Sequence, residues 1–188
     1  MDFSAAERAR RVRLILFDVD GVLTDGKIWT IPAQGEKNWE AKGFHAHDGI
    51  GISLARLGGL ETGIITKRAS EAVALRARAL RMEYVYMGQD YKIRAVHDIM
   101  QRASLNFDQI AYVGDDIIDL PVMRLCGLAI AVANARDQVK AIAHYITPNS
   151  GGLGAGRDAV DFVLQAHGIL DQCIEEYLDE GNAAPIGQ

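Results

Sequence analysis

Three times along this chain a short, β-prone apolar run stops at side chains that are costly to bury. Leu14-Ile15-Leu16-Phe17 runs into Asp18 and Asp20. Thr62-Gly63-Ile64-Ile65 runs into Thr66 and Arg68, and Ile110-Ala111-Tyr112-Val113 into Gly114, Asp115, Asp116 and Asp119. Runs of this kind, bounded by turn residues, read as buried strands. Segments with helical spacing lie between them, and strands alternating with helices imply an α/β fold on a parallel sheet. The expected architecture is a three-layer, Rossmann-like, doubly wound and mostly parallel sheet. In such sheets reactive groups gather outside the carboxyl ends of the strands, so the three polar termini converge on one crevice.

The remaining elements fit this plan. The 188 residues suit a single domain over 1–188. Lys27–Ile31, the turn residues Pro32 to Gly35, and Glu36–Lys42 read as a projecting β-hairpin over about 27–42. It carries both tryptophans of the chain, Trp29 and Trp39, which suit a contact surface or packing on the parent domain. A helix runs from Ile52 to Leu57 and ends at Gly58-Gly59, and another opens at Lys67 to Ser70 and continues through Leu80. A short strand over Met82–Tyr86 precedes a helix starting at Lys92. Strands at Leu128–Val132 and Tyr145–Thr147 flank a helix over Asn134–Ala143. The glycine-rich loop Gly151 to Arg157 precedes a helix over Ala159–Leu164, and it lacks the spacing of a phosphate-cradling or dinucleotide loop. An amphipathic segment over Ile169–Leu178 leads into a polar tail over about 179–188.

Composition excludes several classes. A net charge of −5 argues against a nucleic-acid binder, and no apolar run is long enough to span a bilayer. Residues 1–13 are charged, lack the apolar core of a signal peptide, and read as a short solvated helix. Cys126 and Cys173 stand far apart without a CxxC or Cys/His cluster, as buried thiols of a cytoplasmic protein do.

The site candidates carry the chemistry. Asp18 and Asp20 at one strand end are either an acidic loop or a pair compensated by a divalent cation, which takes oxygen ligands. Thr66 and Arg68, beside a helix start, make an anion site, although Ser and Thr are also ordinary caps. Lys92 in a first helical turn opposes the macrodipole, and that misfit favours a functional role. His45 and His47 lie two apart with no third ligand cluster. They fit a loop that caps the next helix and offers polar groups to a ligand.

In this order, Asp18-x-Asp20-Gly21-x-x-Thr24, Thr66, Lys92 and Gly114-Asp115-Asp116-x-x-Asp119 resemble the four motifs of the haloacid dehalogenase superfamily, with Asp119 one place early in the commoner spacing. The resemblance implies phosphomonoester hydrolysis: Asp18 as nucleophile, Asp20 as acid and base, and Thr66 with Lys92 on the phosphoryl oxygens. It implies Mg2+ held by Asp18, the Asp20 carbonyl and Asp115, with Asp116 and Asp119 orienting Lys92 or metal waters. Over about Arg13 to Gly168, Phe17 to Gly26, Phe44, Asp48-Gly49-x-Gly51, Gln89, Lys92, Ala111 to Asp116, Asp119 to Met123 and Gly151-Gly152-x-Gly154-Ala155-x-Arg157 more closely resemble the capless family of 3-deoxy-D-manno-octulosonate 8-phosphate phosphatases. That family implies a role in lipopolysaccharide precursor synthesis, no cap domain, and a homotetramer that closes the site. It implies sugar-phosphate contacts from Asp20, His45, Ala46, His47, Asp48, Gly49, Arg68, Arg76 and Lys92. Arg76, on a helix face, fits plain solvation equally well. Lys67, His47 and Ser53 stand where the family commonly has Gly, Arg and Arg, and these departures bear on which sugar acid is taken. A sister family acts on nine-carbon keto-deoxy sugar acid phosphates. It tends to carry an acid at the Arg68 position, so Arg68 favours the eight-carbon substrate. A phosphoacceptor receiver domain also sets acids, Thr and Lys on a parallel sheet, but takes its acceptor from a middle strand and its Lys from the last.

Overall fold

The computed structural model describes residues 3–32 and 39–183. After helix α1 (Ala5–Ala9), strand β1 (Leu14–Phe17) leads to a hairpin of β2 (Trp29–Ile31) and β3 (Trp39–Ala41). Helix α2 (Ala46–Leu57), β4 (Glu61–Ile65), α3 (Glu71–Ala79), β5 (Tyr84–Tyr86) and α4 (Lys92–Ala103) follow. The second half comprises β6 (Ile110–Gly114), α5 (Leu120–Met123), β7 (Leu128–Ala131), α6 (Asp137–Lys140), β8 (Tyr145–Ile146), α7 (Ala155–His167) and α8 (Leu170–Ala183). The sheet is parallel in the order β5-β4-β1-β6-β7-β8.

That order sets the site. The chain leaves β1, builds β4 and β5 on one side, then crosses back to lay β6, β7 and β8 on the other. The winding reverses between β1 and β6, and a crevice opens at the carboxyl ends of such a pair. Phe17 at the end of β1 lies level with Val113 of β6 and Ile64 of β4, which brings the residues after all three strands to one rim. The four residues of β1 are fully buried, as are Ile110 to Val113 and all of β7. Continuous apolar strands need cover on both faces. Helix α2 packs on α7 and α8, α1 packs on α7, and α4 packs on α5. Among the described residues there is no cap domain, and only the β2–β3 hairpin projects between Gly26 and Phe44.

Several boundaries depart from the sequence reading. The N-terminal segment is not simply solvated, because Ala9 at the end of α1 and Val12 beyond it are fully buried. Helix α6 spans only Asp137–Lys140. Helix α7 starts at Ala155, so the glycine-rich stretch supplies its first turn, aided by Gly154 at φ 103° and by Asp48 from α2, whose Oδ1 accepts from the Arg157 N–H at 2.9 Å. Helix α8 continues to Ala183, past the start expected for a polar tail; residues 184–188, and the hairpin turn over 33–38, lie outside the described residues.

Candidate active site

Asp18 continues β1 by one residue, its N–H donating to the Val113 carbonyl at 3.0 Å. The chain then turns sharply: Gly21 has φ 89°, and the Thr24 N–H donates back to the Val19 carbonyl at 3.0 Å. Glycine is required at position 21, because a Cβ there would sit 2.1 Å from Asp115 Oδ2 and the positive φ would strain any side chain. Gly151 packs onto this same turn so closely that a Cβ would meet the Gly21 carbonyl oxygen at 1.7 Å. The loop before α7 thus clamps the acid-bearing turn of its own chain.

Asp18 is almost fully buried. Its Oδ1 accepts from the Val19 N–H at 2.6 Å, and its Oδ2 lies 2.8 Å from Lys92 Nζ. Lys92, the first residue of α4, reaches over with only 2% of its side chain exposed and also meets Asp119 Oδ1 at 2.7 Å. Burial alone would pull the Lys92 ammonium down, but Asp119 and Asp18 outweigh it and hold it above the ordinary lysine value. Asp119 is fully spent. Oδ1 accepts from Lys92 and from the Tyr112 hydroxyl at 2.8 Å, while Oδ2 accepts from the N–H groups of Asp115 and Asp116 at 3.0 and 3.2 Å.

The charges do not balance around Lys92. Burial first, then the Asp119 charge, push the Asp18 carboxyl up to about 6 against the pull of Lys92. Burial, then Asp119 and Asp18, push Asp115 up to about 7. Carboxylate oxygens of Asp18, Asp115 and Asp119 lie within 4.8 Å of one another, and Asp115 Oδ1 is buried with no hydrogen-bond partner. A hard divalent cation fits this set, since it would supply the missing positive charge and the partner for Asp115. Asp119 belongs to the cluster by distance, but its four hydrogen bonds leave Asp18 and Asp115 as the carboxylates free to ligate.

The crevice, about 430 Å3, is lined by Asp18, Asp20, Thr66, Lys67, Arg68, Asp115 and Asp116, with Ile28 and Ile118 at its apolar edge. Thr66 is buried at the end of β4, its N–H bonded to the Tyr86 carbonyl at 2.9 Å. Arg68 Nη2 holds Glu40 Oε2 at 2.8 Å, and its Nε lies 3.9 Å from Asp20 Oδ2. Asp116 caps the turn that follows β6, accepting from the Ile117 N–H at 2.7 Å.

The remaining substrate candidates form a second group. Phe44, His45, Asp48 and Arg76 line a tighter cavity beside Val19 and Leu23. His45 caps α2 with its Nδ1, which accepts from the His47 N–H at 3.3 Å, as the loop reading expected. Arg76 is not a free surface residue: its Nε is buried without a partner, and it lies over Phe44, 5.9 Å from the ring centroid. The buried Gly49 backbone faces its guanidinium. Ala46 and His47 are exposed. Sequence reasoning passed over Glu40 and Lys42, whose ammonium makes an ion pair with Asp20. Their spacing of two places both on one side of a strand end, but charges on a projecting hairpin read as solvated. Tyr112 stood in a motif with no role assigned.

An aspartate ending the central strand, gripped by a lysine from α4 and facing the acids that follow β6, is the arrangement of a haloacid dehalogenase-like hydrolase, and residues 81–154 match that family. The chain is 40% identical over 165 residues to the 3-deoxy-D-manno-octulosonate 8-phosphate phosphatase of Escherichia coli K12, covering 88% of this chain and 86% of that one. It is similar to the crystal structure of the Yersinia pestis 3-deoxy-D-manno-octulosonate 8-phosphate phosphatase, with TM-score 0.84 and 39% identity over 89% of this chain and 88% of that one. The Moraxella catarrhalis phosphatase of that name, solved with a magnesium ion, a phosphate ion and the sugar acid, aligns with TM-score 0.85 and 33% identity over 92% of this chain and 97% of that one. The chain belongs to the family of 3-deoxy-D-manno-octulosonate 8-phosphate phosphatases.

Proposed function

We propose that this protein hydrolyses 3-deoxy-D-manno-octulosonate 8-phosphate to the free sugar acid and phosphate, as a Mg2+-dependent phosphatase. The observation that carries the reading is Asp18, fixed at the winding reversal with Lys92 on one oxygen and Asp115 close by. Asp18, Asp115 and the Asp20 carbonyl would hold the cation, which shields the phosphoryl oxygens and the carboxylates. Asp18 attacks phosphorus in line, and the bond to the sugar oxygen breaks. Asp20 gives its proton to that oxygen as it leaves, then takes one from the water that attacks the aspartyl phosphate. Phosphate departs and the Asp18 carboxylate is restored. Lys92 has three donors and spends two on Asp18 and Asp119, leaving one for a phosphoryl oxygen. Thr66 offers its hydroxyl beside it.

Arg68 supplies a guanidinium fork for the sugar's carboxylate, and Arg76 with His45 and Asp48 frames the sugar's far side. Ser53 donates to the Gly49 carbonyl at 3.1 Å, so that position turns inward and adds no cation. Trp29 and Trp39 are 61% and 70% exposed on the hairpin. Large exposed aromatics support the homotetramer as the working assembly, and the buried free thiols Cys126 and Cys173 suit the cytoplasm. Among the described residues no helix is long and apolar enough to cross a membrane. The test is Mg2+-dependent phosphate release from the eight-carbon substrate against its nine-carbon analogue. Preference for the eight-carbon sugar is expected, and equal, feeble rates on both would overturn the assignment. Sedimentation should give the mass of four chains; a fully active monomer would remove the assembly claim.

A further inference from the structure

The end of the hairpin sets a charged group against Asp20 that the reaction above does not use. Lys42, one residue past β3, has a side chain with no exposed surface, although it stands on a projecting element. A lysine ammonium is almost never fully buried without a paired charge. Its partner is Asp20, whose Oδ1 accepts one charge-assisted hydrogen bond from the ammonium. The next carboxylate, Glu40, lies 3.9 Å from Lys42 and binds Arg68 at 2.8 Å. Arg68 is itself half-exposed and stands 3.9 Å from the other Asp20 oxygen. Two cations therefore flank Asp20, one buried and one half-exposed. Without the buried one, Asp20 would be free to swing toward Arg68 and lose its aim at the leaving oxygen.

We propose that Lys42 is a positioning residue for Asp20, so that the juxtaposition of the β3 end with the Asp20 carboxylate makes the hairpin part of the catalytic apparatus as well as a contact surface. The inference rests on Asp20 being the proton donor and acceptor. Lys42 holds one carboxylate oxygen, and the other faces the crevice to exchange its proton with the sugar oxygen and then with water. Proton transfer by a placed side chain contributes about 100- to 10,000-fold, and it depends on hydrogen-bond reach, so a loosened carboxylate forfeits part of that factor.

The test compares Lys42→Met, which keeps length and loses charge, with Asp20→Asn and the double variant. Lys42→Met should lower kcat on the sugar phosphate about 10- to 100-fold with KM changed less than about twofold. It should slow phosphorylation by p-nitrophenyl phosphate far less, because that leaving group departs without a proton. On the Asp20→Asn background it should add no further loss. Unchanged kcat on the sugar phosphate, or equal losses in phosphorylation by both substrates that add to those of Asp20→Asn, would overturn the inference. If Asp20→Asn alone left sugar-phosphate turnover intact, the acid and base assignment would fall instead, and the two failures are told apart by that variant. Should Lys42→Met fold poorly, Lys42→Arg, which keeps the charge and displaces it, is read in the same way. A larger loss in phosphorylation by the sugar phosphate than by p-nitrophenyl phosphate is expected, and full phosphorylation rates with both would overturn it.

Discussion

Replacing Lys92 by Met removes the one buried cation of the acid cluster and nothing else of similar size. Its ammonium lies 2.8 Å from Asp18 and 2.7 Å from Asp119, both buried. Breaking a buried pair by deleting one partner costs about 3–5 kcal/mol, because the remaining charge is stranded. Asp119 retains the Tyr112 hydroxyl and two backbone N–H groups, so the stranded charge is chiefly Asp18. Burial already raises Asp18 to about 6 with Lys92 in place, and without it the carboxyl rises further, at about 1.4 kcal/mol per unit. An acid whose folded value exceeds its unfolded value binds more protons folded than unfolded in the window between them. Stability therefore falls as pH rises through that window. Urea unfolding in chelator at pH 5.5 and pH 8 should show the larger deficit for Lys92→Met at pH 8. Out of a total near 5–15 kcal/mol, the loss there is a large fraction of the whole, and the midpoint should move without a change in slope. Midpoints equal to the parent protein's, or a deficit that grows toward acid, would refute the charge accounting.

Asp115→Asn should stabilise the metal-free protein at pH 8 by about 1–3 kcal/mol, since Asp115 is raised to about 7 and is ionised there at a cost. It should also abolish the rise in Tm that Mg2+ gives the parent protein, and a retained rise would remove Asp115 from the metal site. Gly21→Ala should cost about 1–3 kcal/mol from the left-handed backbone and the clash with Asp115. Its kcat should collapse even at saturating Mg2+, and parental activity would show that the turn tolerates a Cβ. Tyr112→Phe, which deletes the hydroxyl bonded to Asp119, should lower stability by about 1.5–3 kcal/mol. It should reduce kcat less than Lys92→Met, and the reverse order would contradict the role given to Lys92.

Much of the site was legible because it lies where periodicity stops. Asp18, Thr66 and Asp115 each follow an apolar run, and a run buried on both faces declares both the strand and its end. Lys92 betrayed itself by opposing the dipole of its own helix. What escaped was settled by contacts across the chain. Lys42 looks like hairpin surface until the β3 end is folded over Asp20. Helix α7 starts early because Asp48, over a hundred residues upstream, accepts from its first turn, a contact no local pattern records. Arg76 offered only a helix face, and it is the packing on Phe44 and Gly49 that leaves it half-buried with its Nε out of solvent. Asp119 was within reach of the resemblance, which sets it beside Lys92 or metal waters, and in the structure it bonds Lys92, the Tyr112 hydroxyl and two backbone N–H groups.

The central claim is that Asp18 takes the phosphoryl group. Rapid acid quenching of the enzyme in its first turnover with 3-deoxy-D-manno-octulosonate 8-phosphate and Mg2+, followed by mass mapping of the peptide that holds Asp18, tests it most directly. One phosphoryl group on Asp18 is the predicted result, absent from an Asp18→Asn variant that is folded and inactive. Full turnover by Asp18→Asn, or a phosphoryl group found on another residue, would contradict the account.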